Sequence, residues 1–416
     1  MQMVRFDRFG PEKILEVYDH KTGMHGFVII DNTSLGPAKG GIRMTPSVTI
    51  DEVASLARTM TWKNSMAGLP FGGGKAGIVA DDRLMPKEQK FEIIKSFSKA
   101  LKAVCPKYYV AGPDMNTGEE EMKAFAEANG NFRSATGKPA NMCEYPGEKC
   151  GIPHEFGSTG FGVFHSTMVA CKFAKIKSQG ATVAIEGFGN VGTFAMKDLT
   201  ENGFKVVGVS DSKGCIYNPE GLEYNKLMEV KSQQGTVTKY QPGEVLPSEK
   251  VFELPVDILI PAAVPNSIND RNFDSVKAKL IIEAANIPMA PETEERFHQK
   301  GILVVPDFVA NAGGVISSYA EYRGKNPGEM FHLVEKKLVR NTRKVLRLAR
   351  KKGVKPRDAA MEIALVRIEK ALEGKKRPPA KKPKEAPAAT QPQQVPQEPQ
   401  QDPHDTQSPH DTQPQA

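Results

Sequence analysis

The chain has 416 residues, of which 39% are hydrophobic and 25% are charged, and its formal net charge is +7. This length leaves room for two domains with a sizeable core, and the absence of any run of about 18 apolar residues excludes a membrane-spanning helix. The positive charge is spread thinly, with lysines and glutamates interleaved, which indicates solvated helix faces. We therefore expect neither nucleic acid nor membrane among its partners.

The cysteines and the N-terminal sequence indicate the compartment. The first residues lack the basic-then-apolar order of a secretory signal. Five cysteines, an odd number without a CxxC pair, are typical of free thiols in a reducing cytoplasm. Cys143, Cys150 and His154 are close enough in sequence to be considered as zinc ligands, but their spacing fits no standard zinc motif. The sequence thus predicts a cytoplasmic protein with free thiols and no metal.

The first region, residues 1–155, mixes strands and helices. Its first helix carries Lys63 on the inward, mostly apolar face, and its second strand ends in Asp114. Thr117 and Glu120 then have the spacing of a capping box that opens a further helix. In this region strands are predicted at 26–30 and 108–114 and helices at 51–65 and 87–104.

A glycine-rich stretch, GLPFGGGKAG at 68–77, sets Lys75 directly behind three glycines. A phosphate-binding P-loop would need a glycine where Leu69 stands and a hydroxyl where Ala76 stands, so this motif is excluded. Two readings remain from the stretch alone. One is a turn with a solvated lysine, and the other is a backbone that closely approaches a ligand.

The second region, 156–326, alternates short apolar strands with helices, which predicts a parallel, doubly wound sheet. Helical sequence at 327–374 must pack back, and the first domain, 1–155, is the expected host. The Pro- and Gln-rich segment 375–416 has little to bury and is predicted to be disordered, as a solubilising tail or a tether for something anionic. The fold class is therefore α/β, with an N-terminal substrate domain and a Rossmann-type domain.

The sequence GFGNVG follows a predicted strand directly and precedes a helix, the context in which GxGxxG binds a dinucleotide. The glycines allow a tight turn, and the pyrophosphate then lies at the helix N-terminus. Asp211 ends the next strand, where an acid binds a ribose 2′-hydroxyl, which favours NAD; Lys213 could instead meet the 2′-phosphate of NADP. The candidate cofactor residues in this region are Gly187, Gly189, Asn190, Val191, Gly192 and Asp211.

A dinucleotide domain makes hydride transfer the leading chemistry, so the first domain must bind the substrate and move protons. It offers three lysines beside glycines or apolar residues, Lys39, Lys63 and Lys75. A buried ammonium needs an anionic partner, which can be a local acid or a substrate carboxylate. Clustered cations and partial desolvation also lower a lysine pKa, which would make Lys75 reactive near neutral pH.

Seven motifs resemble, in order, the signatures of the glutamate/leucine/phenylalanine/valine dehydrogenase family. They extend from about residue 15 to residue 325. The resemblance implies a two-domain amino-acid dehydrogenase that uses NAD or NADP. The motifs are GPAKGGIRM, MTWKNSMAGLPFGGGKAG, GPDMNTGE, IEGFGNVG, PAAVPNSI, EAANIPMAP and VPDFVANAGGVISSY.

The resemblance also implies roles for individual residues. Lys75 matches the lysine that polarises the substrate carbonyl and activates water, Lys63 the one that binds the α-carboxylate, and Asp114 the acid that shuttles protons to the amino group. Gly40 and Gly41 bring the backbone beside the substrate. Residues that match positions around the nicotinamide and the substrate's amino end are Thr159, Asn286 and Asn311.

Two positions resemble the glutamate subclass in particular, Lys39 and Ser318, which match residues that bind the distal carboxylate. The segment ILEVYDHKTGMHGFVIIDNTSLGPA instead resembles the leucine enzymes, and residues 143–161 depart from the glutamate pattern. L-Glutamate is thus the expected substrate and a branched-chain amino acid the alternative. A homo-oligomer is expected, a hexamer first, with octamer or dimer open. A catalytically inactive scaffold relative is the alternative of a different class.

Overall fold

The computed structural model describes residues 4–83 and 85–375. Within these ranges the chain forms a two-domain α/β fold with two large sheets and a small hairpin. The strands are β1 (Lys13–Asp19), β2 (Met24–Asn32), β3 (Ala38–Lys39), β4 (Ile42–Thr45), β5 (Gly72–Val79), β6 (Tyr109–Val110), β7 (Cys143–Tyr145), β8 (Glu148–Cys150), β9 (Thr182–Glu186), β10 (Lys205–Asp211), β11 (Gly214–Tyr217), β12 (Glu244–Leu246), β13 (Ile258–Pro261), β14 (Leu280–Ile282) and β15 (Leu303–Val305). The helices are α1 (Ile50–Ala67), α2 (Lys87–Ala100), α3 (Glu119–Asn129), α4 (Ser158–Ala174), α5 (Asn190–Glu201), α6 (Tyr224–Gln234), α7 (Pro291–Gln299), α8 (Asp307–Ala310), α9 (Gly313–Tyr322), α10 (Pro327–Lys352) and α11 (Pro356–Lys375).

The first sheet has the order β1-β2-β5-β3-β6, with β4 paired to β5. This sheet is covered by helices on both faces. The side chains of β2 alternate between the two faces, and apolar residues point to each of them. Val28 and Ile30 join the apolar cluster that contains Phe97 of α2. Ile29 joins the cluster on the opposite face, with Val53 of α1. The strand predicted at 26–30 is therefore the buried centre of the substrate domain.

The second sheet has the order β12-β11-β10-β9-β13-β14-β15. The strands from β10 to β15 in this order run parallel, whereas β11 and β12 add an antiparallel edge. Val183 of β9 packs with Met196 of α5 on one face, and Ala184 packs with Phe297 of α7 on the other. These contacts confirm the doubly wound sheet. Its parallel strands end at one edge, where such sheets bind nucleotides.

The C-terminal helices α10 and α11 pack against helices of both domains. The Ser65 hydroxyl of α1 donates to the carbonyl of Ala364 on α11 at 2.7 Å, so α11 packs on the substrate domain as expected. Helix α10 also lies along α4, where the hydroxyls of Ser166 and Thr342 are 3.2 Å apart. The predicted tail, from residue 376 onward, lies outside the described residues.

Helix α1 turns a face of small residues to the first sheet, with Val53, Ala57 and Thr61 fully buried. The opposing strand β5 begins with three glycines, so the helix approaches closely and only small side chains fit between them. Lys63 was predicted on this inward face, but it lies beside it and is half-buried. The difference matters because the edge of α1 borders a cavity.

Helix α3 begins later than the predicted capping box implies. Its cap is Gly118, whose N–H donates to Oε2 of Glu121 at 2.7 Å. Thr117 was predicted as the cap, but its hydroxyl donates to the carbonyl of Ile42 at 2.7 Å. The threonine thus ties the turn after β6 to β4, and this contact, which sequence spacing does not reveal, displaces the cap by one residue.

Cys143 and Cys150 form a disulfide across the β7–β8 hairpin, so the prediction of free thiols is wrong for these two. They are cross-strand partners, which brings their β-carbons together. The remaining cysteines are free and buried. Among the described residues no cluster of three or more acidic, histidine or cysteine side chains is arranged to hold a metal ion. No described helix is both long and apolar enough to cross a membrane.

Three buried acids surround one arginine behind the second sheet. Arg357 of α11 is 2.8 Å from Glu283, 2.5 Å from Glu294 and 3.0 Å from Asp307. Burial and the two neighbouring acids raise the pKa of Glu283 well above its usual value. Asp307 in turn accepts from the N–H of Ile287 at 2.9 Å. The arginine therefore fixes α11, α7 and the loop after β14 to one another.

Replacing Arg357 with Met is expected to lower the free energy of unfolding by about 3–5 kcal/mol, because three buried carboxylates lose the cation with which they form ion pairs. Urea denaturation at a fixed protein concentration measures this loss. Lys95→Met is the matched control, since Lys95 and Glu92 form an exposed pair whose removal changes stability by about 1 kcal/mol at most. Equal stability of both variants would contradict this view of the network.

Candidate functional site

A cavity of about 370 Å³ lies where the strand ends of both domains meet. It is polar on the side of the first sheet, where it is lined by lysines, and it reaches the glycine turn of the second sheet. The structure therefore gathers residues from seven separate sequence motifs around one space. The predicted site residues that line it are Lys39, Gly40, Gly41, Lys63, Lys75, Asp114, Thr159, Val191, Asn286, Asn311 and Ser318.

The glycines that precede Lys75 make room for protein rather than for a ligand, contrary to the second reading of the stretch. A β-carbon on Gly73 would overlap the backbone of Thr61 on α1. A β-carbon on Gly40 would likewise overlap the carbonyl of Gly74. Strand β5 is thus pressed between α1 and the loop after β3. This packing carries Lys75 to the cavity wall.

Lys75 forms a direct ion pair with Asp114. Asp114 is further fixed by its own Oδ1, which accepts from the N–H of Met115 at 2.7 Å. Arg43 lies 3.5 Å from the same oxygen and is paired on its other side with Glu52. Arg43 and Glu52 belong to the site's charge network but were not interpreted from the sequence, although Arg43 stands within the GGIRM motif.

The pKa of Lys75 lies near neutral pH. Burial lowers the pKa of Lys75 to about 7, and the positive charges of Arg43, Lys63 and Lys39 act in the same direction. The contact with Asp114 opposes this shift, because a carboxylate favours the ammonium form. A group with such a pKa can both donate and accept a proton at physiological pH.

Lys39 and Lys63 form no ion pair within the part of the chain that the structure describes. The ammonium of Lys39 is buried and donates to the carbonyl of Ala111 at 2.8 Å. Lys63 lies 3.4 Å from the side-chain oxygen of Asn286. Burial lowers the pKa of Lys39 to about 7 and of Lys63 to about 8, while more distant acids act in the opposite direction. Both cations are therefore available to anionic groups in the cavity.

The opposite wall carries amides and hydroxyls. Asn311 donates through its side-chain nitrogen to Asn286 at 3.1 Å and to the carbonyl of Ala284 at 3.2 Å. Its side-chain oxygen is buried and has no hydrogen-bond partner among the described residues. Buried acceptors are normally hydrogen-bonded, so this oxygen is available to a hydrogen-bond donor of a ligand. Thr159 and Ser318 also line the cavity.

The turn between β9 and α5 has the geometry that a dinucleotide needs. Gly187 adopts a φ of 94°, and a β-carbon on Gly192 would overlap the carbonyl of Gly187. A β-carbon on Gly189 would meet nothing within 4 Å, so the turn is open to a ligand on that side. Helix α5 starts at Asn190 without a side-chain cap, which leaves its first N–H groups for an anion. The residues present fit a pyrophosphate.

Asp211 ends β10 as predicted, but its carboxylate is already satisfied within the protein. Its oxygens accept from Lys231 at 2.7 Å, from the N–H of Val237 at 2.9 Å and from the N–H of Lys213 at 2.9 Å. The hydroxyl of Thr236 adds a fourth donor at 3.2 Å. A carboxylate with four donors has little remaining capacity for a ribose hydroxyl.

Other lining residues had no predicted role at the site, among them Met60, Ile152, His154 and Ser317. His154 was examined as a zinc ligand only, and Ser317 stands next to the predicted Ser318. Met60 and Ile152 are apolar and carry no chemical signature that would separate them from core residues. Only the fold reveals them, because α1 brings Met60 to the cavity and the segment after the β7–β8 hairpin brings Ile152 there.

A dinucleotide turn facing a cation-rich substrate cavity defines an oxidoreductase. Two family models match the chain, the "Glutamate/Leucine/Phenylalanine/Valine dehydrogenase" model over residues 150–375 and the "Glu/Leu/Phe/Val dehydrogenase, dimerisation domain" model over residues 11–130. The chain therefore belongs to the glutamate/leucine/phenylalanine/valine dehydrogenase family, as its motifs indicated.

Individual relatives agree with this family. A glutamate dehydrogenase of Aeropyrum pernix is 41% identical over 359 residues, which cover 82% of this chain and 84% of the relative. An NADP-specific glutamate dehydrogenase of Saccharolobus shibatae is 38% identical and covers 76% and 77%. The solved structure of a hetero-hexameric glutamate dehydrogenase from Thermus thermophilus, in a leucine-bound form, has a TM-score of 0.76 and 27% identity, with 89% of this chain and 91% of that chain covered.

Replacing Asp114 with Asn keeps the side-chain shape but removes the titrating partner of Lys75. We expect turnover in amino-acid oxidation to fall by roughly 10²-fold or more, the range that general acid–base catalysis contributes, with an unchanged thermal midpoint. Steady-state formation of the reduced dinucleotide measures the loss. Asp274→Asn, at an exposed acid, is the control. Wild-type turnover in Asp114→Asn would assign the proton transfer to another group.

Proposed function

We propose that the chain is a glutamate dehydrogenase, which reversibly oxidises L-glutamate to 2-oxoglutarate and ammonia with NAD or NADP. The observation that carries this proposal is the charge of the cavity. Three lysines line it, and among the described residues only Lys75 forms an ion pair with a carboxylate. Lys39 and Lys63 are left for two carboxylates, and glutamate brings two. The amino group of the substrate has Asp114 as its counterpart.

In the proposed complex, Lys63 binds the α-carboxylate, and Lys39 with Ser318 binds the distal carboxylate. The unsatisfied oxygen of Asn311 accepts from the substrate's amino group. An apolar amino acid would leave the buried ammonium of Lys39 without an anion, and such a loss is costly in a site built for polar pairing. The family's branched-chain substrates are therefore disfavoured.

The dinucleotide, when bound at the β9–α5 turn, supplies the acceptor for the hydride that leaves the substrate α-carbon. Asp114 holds the amino group and accepts a proton from it as the imine forms. Lys75, in its neutral form, takes a proton from the water that attacks the imine. Asp114 then returns its proton to the amino group, which leaves as ammonia while the carbinolamine hydroxyl gives its remaining proton to solvent. Lys75, now an ammonium, stabilises the carbonyl oxygen that forms. The near-neutral pKa of Lys75 supports both roles.

Two alternatives remain distinct from this proposal, a branched-chain amino-acid dehydrogenase and an inactive scaffold relative. An assay that follows reduced-dinucleotide absorbance with ammonia and either 2-oxoglutarate or 4-methyl-2-oxopentanoate separates them. Faster reaction of 2-oxoglutarate supports the proposal, and faster reaction of the branched 2-oxoacid supports the first alternative. No reaction with either would favour the scaffold.

For the cofactor, we propose that the site accepts NADP as well as NAD. The sequence favoured NAD through Asp211, but that carboxylate already binds four donors of the protein. Lys213 is exposed and forms no ion pair among the described residues, so its charge is available to a 2′-phosphate. One relative named above is NADP-specific.

We further propose that the chain forms a homo-oligomer in the cytoplasm, with a hexamer as the first expectation. The N-terminal family model is described as a dimerisation domain, and one structural relative is hetero-hexameric. The proposed domain limits are those of the sequence: a substrate domain at 1–155 completed by 327–374, and a dinucleotide domain at 156–326. Three cysteines are free, as a reducing compartment favours, whereas the Cys143–Cys150 disulfide is a feature that such a compartment disfavours.

Wild type is expected to prefer glutamate over leucine by more than about 10²-fold in kcat/KM, since sites built on polar pairing discriminate strongly. Lys39→Leu is expected to abolish this preference mainly by weakening glutamate, while Lys75 and Asp114 still turn over an apolar amino acid slowly. Steady-state kinetics with both amino acids measures the effect. Lys13→Leu, at an exposed lysine of β1, is the control. Faster turnover of leucine than glutamate by wild type would overturn the substrate assignment.

Lys213→Ala is expected to lower kcat/KM for NADP by about tenfold, because a charged contact to the 2′-phosphate contributes roughly 1.5–3 kcal/mol at most in water. NAD, which lacks this phosphate, should react as it does with wild type. Initial rates with each dinucleotide at saturating glutamate provide the ratio. An equal loss with both cofactors would show that Lys213 does not contact the 2′ position.

A further inference from the structure

A buried ion pair that has no part in the proposed reaction lies behind the cavity wall. The ammonium of Lys138 is 2.5 Å from Oε1 of Glu321, and their side chains are 1% and 0% exposed. Glu321 belongs to α9, the helix that also carries Ser318. The pair is thus next to the end of the cavity that the proposed function assigns to the substrate side chain.

Glu321 joins three segments of the chain at this wall. Its Oε2 accepts from the N–H of Gly137 at 2.6 Å and from the N–H of Ile152 at 3.0 Å. Lys138 also donates to the carbonyl of Ala135 at 2.6 Å. Gly137 and Ile152 both line the cavity. One carboxylate therefore sets the spacing between α9 and two loops that form the wall.

Stability alone does not explain this pair. Removing two charges from water costs several kcal/mol for each ion, and well-packed apolar residues at such positions are often equally or more stable. The backbone N–H groups could also be satisfied by a neutral side chain. We therefore look for a role of the pair in specificity, either by positioning the cavity wall or through the electric field of its two charges.

The field of the pair acts on Lys39. Burial is the main cause that lowers the pKa of Lys39, Glu321 acts to raise it and Lys138 acts to lower it further. Lys75 is a further cation near Lys39, and the charge of Lys39 lowers the pKa of Lys75. The ammonium of Lys39 lies against Gly112, where a β-carbon would overlap it. The two members of the pair thus act on Lys39 with opposite sign.

We propose that the Lys138–Glu321 pair is the positioning element of the Lys39 subsite, which by its wall contacts and its field makes the cavity select an acidic side chain. The proposal rests on glutamate being the substrate. It assigns no chemical step to either residue, because neither lines the cavity. Their effect reaches the substrate through Lys39, Gly137 and Ile152.

The test compares glutamate with norvaline, an amino acid with a short uncharged side chain, from pH 6 to pH 9. The ratio of the two kcat/KM values cancels the titration of Lys63 and Lys75, which both substrates use. In wild type this ratio should fall as pH rises through the pKa of Lys39, about 7, because only the protonated lysine pairs with the distal carboxylate. The expected midpoint of the fall is therefore near neutrality.

The two single variants should shift this midpoint in opposite directions. Glu321→Gln removes the charge that favours the ammonium, so the ratio should fall at lower pH. For a midpoint one pH unit lower, the ratio at pH 7.5 would be about eightfold smaller than in wild type. Lys138→Met removes the opposing charge, so the ratio should fall at higher pH. A purely structural role would move both variants in the same direction.

Midpoints that coincide with wild type, or that shift together, overturn the inference. Thermal unfolding of each variant identifies one that does not fold, and the other variant then decides by the direction of its shift. A wild type that does not prefer glutamate to norvaline overturns the proposed substrate and this inference with it. A wild type that prefers glutamate, combined with unshifted variants, overturns the inference alone.

Discussion

The close approach of β5 to its neighbours is the constraint on which the site depends. Because Gly73 has no side chain, α1 packs directly on the strand, and Gly40 lets the loop after β3 do the same. These contacts bring lysines from two strands and a helix, Lys39, Lys75 and Lys63, to one cavity. A side chain at either glycine would separate these elements before it touched any ligand. The glycines act on function by way of packing.

The converged lysines carry more charge than the protein neutralises. Lys75 is paired with Asp114, whereas Lys39 and Lys63 are within hydrogen-bonding distance of carbonyl or amide oxygens and form no ion pair among the described residues. Burial is the main cause of the low pKa of Lys75, and the positive charges held close to it lower this pKa further. The same arrangement therefore provides an anion-binding site and an acid–base group near neutral pH.

Local pattern predicted the parts of the molecule that depend on neighbours in sequence. The strand–glycine–helix unit around Gly187 and the ordered motifs around Lys75 were found in this way. The motif predicted the position of Asp211 but not its hydrogen-bond partners, since Lys231 comes from the later helix α6 and Val237 from the turn that follows it. Lys138 and Glu321, 183 residues apart, are joined only by tertiary structure. No periodicity or spacing connects such residues.

Some buried cations of the protein have carboxylate partners and others do not. We infer that this difference corresponds to a structural role for the first kind and a ligand-binding role for the second. Arg357 forms ion pairs with three carboxylates, and Lys138 forms one with Glu321. Glu321 is also near enough to raise the pKa of Lys39. The paired cations hold helices and loops together. The unpaired ones raise the energy of the ligand-free state, because their desolvation is not compensated. A dicarboxylate that enters the cavity removes this penalty, so the binding energy of its charged groups derives partly from cations the protein leaves unsatisfied.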